Sequence, residues 1–219
     1  MSTQQQIIEH IVLFNVKPDV EPTKVAAMVA GLNGLVSLDL AIYVSAGELS
    51  KSRSCNSLTF SHILHCRFKS NTNLQVYNTH PEHMRVVIEL IQPIIDDIMV
   101  VDWISNNDLI NDSSKLGGVM RVTLLKLKAD LVGNGKSKFF KMTEGLKNRF
   151  KAIEDVSYGE NLPNDYSKGY SISSIGVFPG VAELEAFDLD VELVKSLTEE
   201  VKGLVESEIV VDYVIPVAN

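Results

Sequence analysis

The segment Val76–Val87, VYNTHPEHMRVV, gathers Tyr77, His80 and His83 around Pro81, so that two of the chain's five histidines share one short stretch. These residue types suit acid/base chemistry. An imidazole of ordinary pKa near 6.5 is mostly neutral at pH 7 yet able to carry a proton, and a phenol can donate a hydrogen bond to a developing negative charge. Spacing alone does not bring them together, because Tyr77 and His83 lie on either side of a proline. Thr79 and His80 before a helix-starting proline also read as a capped helix entrance. His10 and His62 share strand faces with large apolar residues, where a hydrogen-bonded core histidine is the alternative to a ligand-binding one.

The elements that must position these residues occur twice. HIVLFNVK (10–17) is echoed by RVTLLKLK (121–128), SAGEL (45–49) by SYGEN (157–161), and IMVVDWI (98–104) by EIVVDYV (208–214), at an offset of 110 to 112 residues. Between the copies, the polar run SNNDLINDSSKLGG reads as a linker. The expected organisation is a first domain over 1–105, a linker over 106–118 and a second domain over 119–219. In the first copy, Ile7–Val16, Ala41–Leu49, Leu58–Phe68 and Ile98–Ile104 read as strands, with Lys51–Ser57 a polar loop. Val25, Met28, Val29, Leu32 and Val36 form a helical stripe; Tyr77–Asp97 reads as mostly helical, broken at Pro81 and kinked near Pro93. The second copy has strands at 119–128, 153–159, 169–178 and 208–215, with helices near 137–152 and 181–207. The order β-α-β-β-α-β is α+β and ferredoxin-like, leaving one sheet face bare in each copy. Two copies cover each other's bare faces. The expected result is an intramolecular pseudo-dimer whose sheets pair into a barrel, leaving room for a further homodimer.

Composition narrows the function classes. With 45% hydrophobic and 22% charged residues, the chain can bury a core, and its net charge of −8 opposes a nucleic-acid surface. No apolar run reaches about 18 residues, so no membrane partner is expected. The N-terminus lacks a secretory pattern and Val217-Ala218-Asn219 is not a peroxisomal ending; the expected compartment is the cytoplasm, with peroxisome and plastid as alternatives. Cys55 and Cys66 form no CxxC pair and read as bystanders. No nucleotide, serine-hydrolase or zinc-protease motif occurs, and Glu82 lies between His80 and His83 so that three metal ligands would not easily converge. No cofactor and no metal are expected.

HIVLF at 10–14, FSH at 60–62, Y-x-x-H-P-x-H at 77–83 and VVDW at 100–103 together resemble the stress-response A/B barrel (Dabb) proteins, in particular the tandem members of plants. The resemblance covers the whole first half; in the second it rests on strand patterns and VVDY. It implies ferredoxin-like domains paired into a barrel. One member group, the olivetolic acid cyclases, folds a linear polyketide thioester by aldol condensation, and its catalytic tyrosine and histidine fall on Tyr77 and His83. The resemblance thus makes His83 a base and Tyr77 a donor. It places His10 and His62 in the same pocket, and His80 joins them as a ligand-binding candidate. The implied partner is a small hydrophobic carbonyl compound, and the alternative is a non-enzymatic stress-related scaffold or binding protein. Asp102 is the candidate carboxylate to orient His83.

The second copy offers an internal comparison. Tyr77, His80 and His83 correspond to Phe187, Asp190 and Leu193, His62 to Ile172 and His10 to Arg121. Apolar replacements at three of these places imply that they are enclosed, and the second domain is expected to be catalytically degenerate. Retained Asp212 cuts the other way: a carboxylate that survives without a histidine points to a fold role for Asp102 as well.

Overall fold

The computed structural model describes residues 7–105, 118–129 and 132–216. The expected linker, 106–118, lies outside the described residues except for Gly118, as do the last three residues. In the first half, β1 (Ile8–Val16) leads to α1 (Pro22–Gly34), then β2 (Ala41–Glu48), β3 (Lys51–Ser54), β4 (His62–Phe68), α2 (Asn71–Thr79), α3 (Pro81–Arg85) and β5 (Ile95–Ile104). The second half contains β6 (Val119–Leu127), α4 (Val132–Glu144), α5 (Leu146–Arg149), β7 (Asp155–Glu160), β8 (Ile172–Phe178), α6 (Val181–Leu189), α7 (Val191–Val201) and β9 (Val205–Val214). The strands form two antiparallel sheets, β2-β4-β1-β5 and β3-β9-β6-β8-β7, each built on the ferredoxin-like order.

Alternation along the strands assigns their faces. Val12, Phe14, Leu64 and Phe68 face the helices, packing with Met28, Leu32 and Leu74. Ile11, Leu13, Ile63, Val101 and Trp103 face the other way and meet Met120, Val122, Leu124, Val211 and Tyr213 in one continuous core between the sheets. The backbone ladders remain two sheets and do not close into one cylinder. Among the described residues, a bridge from Trp103 to Asn161 and the β2–β3 connection link their edges.

The repeated motifs SAGEL and SYGEN build this interface. Ser45 Oγ lies 2.8 Å from the Tyr213 hydroxyl, and Trp103 Nε1 donates to Ser157 Oγ at 3.2 Å. A Cβ on Gly47 would sit 3.0 Å from the Tyr213 ring, and one on Gly159 would sit 2.6 Å from Trp103 Cδ1. Each half therefore supplies a serine and a glycine that seat the aromatic residue ending the other half's last strand. Beside this seat, buried Glu9 binds His65 at 2.7 Å and Arg67 at 3.2 Å. Burial pushes the Glu9 carboxyl up, but the hydrogen bond and charge of His65 and the charge of Arg67 outweigh it and hold the group ionised.

Several boundaries differ from expectation. Lys51–Ser54, expected to be loop, is a strand paired with β9 of the other half, a long-range partner that local polarity does not reveal. The next strand begins at His62, not Leu58. The second helical stretch starts at Asn71 because Ser70 accepts from Asn73 N–H as a cap, and it widens into a π segment at Val86–Ile91 before Pro93 ends it. Among the described residues, no helix is long and apolar enough to cross a membrane.

Candidate functional site

His10 and Asp102 are direct neighbours across the β1–β5 ladder, and both side chains leave the sheet toward the helices. Their contact follows from that register: His10 Nδ1 lies 2.5 Å from Asp102 Oδ1, in a largely buried pair. An ionised carboxylate only accepts, so neutral His10 carries its proton on Nδ1 and keeps the Nε2 lone pair. The expectation that Asp102 orients His83 is corrected by this register, which gives its hydrogen bond to His10 instead.

The His83 ring is oriented by the backbone. Its Nδ1 is 3.2 Å from the carbonyl oxygen of Asn78, which can only accept, so the neutral ring is the Nδ1–H tautomer with Nε2 free to take a proton. This contact exists because α2 stops at Thr79 and the chain turns back at Pro81, bringing α3 over the last turn of α2. Burial lowers the His83 pKa, partly offset by the Asn78 bond, and the neighbouring His10 and His80 lower it further. At pH 7 it is a neutral base.

Tyr77 joins the two imidazoles. It is fully buried on α2, its ring centre 4.5 Å from that of His83, 6.2 Å from His10 and 5.1 Å from Phe68. Its hydroxyl reaches the Cys66 sulfur at 3.9 Å. Burial drives the phenol pKa well above its ordinary value, and nearby Cys66 adds to that effect. Tyr77 can therefore donate a hydrogen bond but cannot serve as a phenolate. Burial also pushes the Cys66 thiol up to about 12, so it is no nucleophile. Cys66 carries no signal in the sequence, because adjacent His65 points to the opposite strand face; its relevance comes from the β1–β4 register that sets it beside His10.

The other two candidate histidines, His62 and His80, have separate roles. His62 is on the same face as Cys66 but four residues along β4, about 13 Å away at the usual strand rise. It lines an open groove with Val16, Pro22 and Glu48; Ser61 Oγ lies 2.9 Å from its Nδ1. Burial lowers its pKa, against an opposing pull from Glu48. His80 Nδ1 accepts the Glu82 N–H and so caps α3, as Asp190 caps α7 at the equivalent place in the second half. Among the described residues, no cluster of three or more His, Cys, Asp or Glu could hold a metal ion.

The retained aspartate now has an explanation. In the second half Arg121 and Asp212 occupy the register positions of His10 and Asp102, with Arg121 Nε donating to Asp212 Oδ1 at 2.7 Å. Each copy uses this aspartate to hold the basic residue of its first strand. Asp188, equivalent to Asn78, accepts from the same guanidinium at 2.5 Å and 3.0 Å. Desolvation would lower the Arg121 pKa, but its two carboxylates raise it.

Comparison with known proteins agrees with this architecture. The stress-responsive A/B barrel domain matches twice, at residues 8–105 and 119–215. One stress-response A/B barrel domain-containing protein of Arabidopsis thaliana is 42% identical over 97% of this chain and 80% of its own length. A second such protein of Arabidopsis thaliana is 35% identical over 96% of this chain and 97% of its own length. Among solved structures, an anthrone oxidase-like protein shares the fold at 9% identity with a TM-score of 0.67, covering 99% of this chain and 98% of that one. With the domain matched twice and both Arabidopsis relatives aligned over nearly the whole of this chain, the chain belongs to the stress-responsive A/B barrel (Dabb) family.

Proposed function

We propose that the first domain binds a small, largely apolar carbonyl compound and promotes proton transfer, in the manner of an aldol-type cyclisation. The observation that carries this reading is the His83 ring: half-buried, held by Asn78 in the tautomer that presents Nε2, and depressed in pKa so that it is neutral at pH 7. His83 removes the proton alpha to the carbonyl, and Tyr77, locked in its neutral form, donates to the oxygen as charge develops there. His10, fixed by Asp102, is a second oriented imidazole beside the same ring, where it positions Tyr77 and tunes His83. His62 and His80 serve the open groove and the helix cap, outside this acid/base group. The compound is the only partner this reading requires; neither nucleic acid nor membrane enters it.

A second reading is favoured by the complete burial of Tyr77, which packs as a core residue against Phe68. In that case the cluster is a stabilising polar core of a non-enzymatic stress protein. Turnover of polyketide-like thioesters by wild type, His83→Gln and Tyr77→Phe separates the two. Catalysis predicts a loss of about 10²–10⁴-fold for His83→Gln with folding intact. Equal product formation with all three chains refutes the acid/base role.

A further inference from the structure

A helix-facing space in the second half follows from a row-by-row exchange of side chains. Where the first half places Leu64, Val12 and Val100 side by side on its sheet, the second places Ser174, Thr123 and Val210. One row away, Cys66 is replaced by Gly176, and Ile98 by Glu208. These exchanges remove bulk beneath α4 and α7, and a cavity of about 300 Å³ opens there. Its walls are apolar, including Phe139, Met142, Phe178 and Leu197. Its floor carries the hydroxyls of Thr123 and Ser174, neither of which has a hydrogen-bond partner among the described residues.

The rim is charged and already paired. Arg121 is held by Asp188 and Asp212, and Arg53, carried on β3 from the first half, reaches Asp188 at 3.3 Å and Asp212 at 3.6 Å. Glu208 adds a third carboxylate without a guanidinium of its own. Lys51 also reaches Asp188, at 3.4 Å, so the three cations at this rim, Arg53, Arg121 and Lys51, are each already engaged by a carboxylate and Glu208 adds negative charge, which disfavours an anionic guest. The volume is about twice that of an engineered cavity that takes benzene, and apolar walls with a few convergent polar groups are the usual make-up of a ligand pocket.

We propose that this cavity is a second ligand site, built for a neutral two-ring-sized apolar molecule bearing a hydroxyl group, which the Thr123 and Ser174 hydroxyls bind at the floor. It is independent of the histidine site in the first domain. Because Arg53 closes part of its rim, both halves of the chain contribute to it.

The test is titration of the full-length chain with 2-naphthol, naphthalene and 2-naphthoate, followed by protein NMR with methyl-labelled Met and Leu. The expected order is 2-naphthol tightest and 2-naphthoate weakest, with the shifts confined to Met142 and Leu197 and their neighbours. Ser174→Leu, which restores the residue of the first half, should weaken 2-naphthol at least tenfold without loss of thermal stability. Thr123→Val should weaken 2-naphthol about tenfold and leave naphthalene unchanged, and His83→Gln should alter neither. The proposal is overturned if no probe binds at millimolar concentration, if 2-naphthoate binds best, or if 2-naphthol binds Ser174→Leu as it binds wild type.

Discussion

At the scale of single residues, the site turns on which atom holds each imidazole. Residue types made Tyr77 and His83 candidates and the family resemblance selected them; both lie in one ring cluster with 4.5 Å between centres. Their partners were not legible, because a backbone carbonyl such as that of Asn78 is present at every position and carries no signal in sequence. Asp102 was legible as a carboxylate but not as the partner of His10, which depends on the β1–β5 register. Asp102→Asn is therefore expected to release the His10 ring from its Nδ1–H tautomer while leaving the His83 tautomer intact, measured by ¹⁵N shifts of the ring nitrogens. The lowered pKa values of His83 and His62 also set a pH dependence. Between those values and about 6.5 the unfolded chain binds more protons than the folded one, so stability rises with pH across that window. It is fully present above about 6.5 and lost as pH falls through the folded values, which urea denaturation at pH 5 and 7 would show; a more stable protein at pH 5 would contradict the assignment.

At the scale of elements, periodicity gave the strands other than β3 and the first helix, while caps and bulky contacts set the ends. His80 illustrates the difference, since its capping role is shared with Asp190 in a half that has no histidine there. His80→Ala should cost about 0.5–2 kcal/mol and His80→Asp much less, read by thermal or chemical unfolding. The glycine of the repeated S-x-G-E motif is a second case. A Cβ at Gly159 would press 2.6 Å from Trp103 Cδ1 and 2.8 Å from the Ile104 carbonyl oxygen, so something must shift. Gly159→Ala is expected to destabilise by about 1–3 kcal/mol, as overpacking does. Trp103→Ala at the same contact should cost about 3–5 kcal/mol. Repetition made the motif visible in sequence, but its purpose appears only when each copy meets the other half's aromatic residue.

At the scale of the whole molecule, duplication replaces a partner chain. The face carrying Ile11, Leu13, Val101 and Trp103 is buried only because the second half covers it. A fragment of residues 1–105 is expected to self-associate through that face, and sedimentation showing a stable monomer would count against the packing. The tandem layout could be read from the repeat. The exchange of β3 into the other sheet could not, since its pattern is polar and its partners, such as Asp212 for Lys51 and Ile209 for Ser54, lie far away in sequence. With the fold secured by the interface, the two helix-facing sides are free to differ: one carries the imidazoles and the other the open cavity. The proposed chemistry depends on His83 being an oriented neutral base. In a ¹⁵N-edited NMR titration of the full-length protein, His83 should titrate below 6.5 with the proton of the neutral ring on Nδ1. A ring that titrates at or above 6.5, or carries its proton on Nε2, would rule that role out.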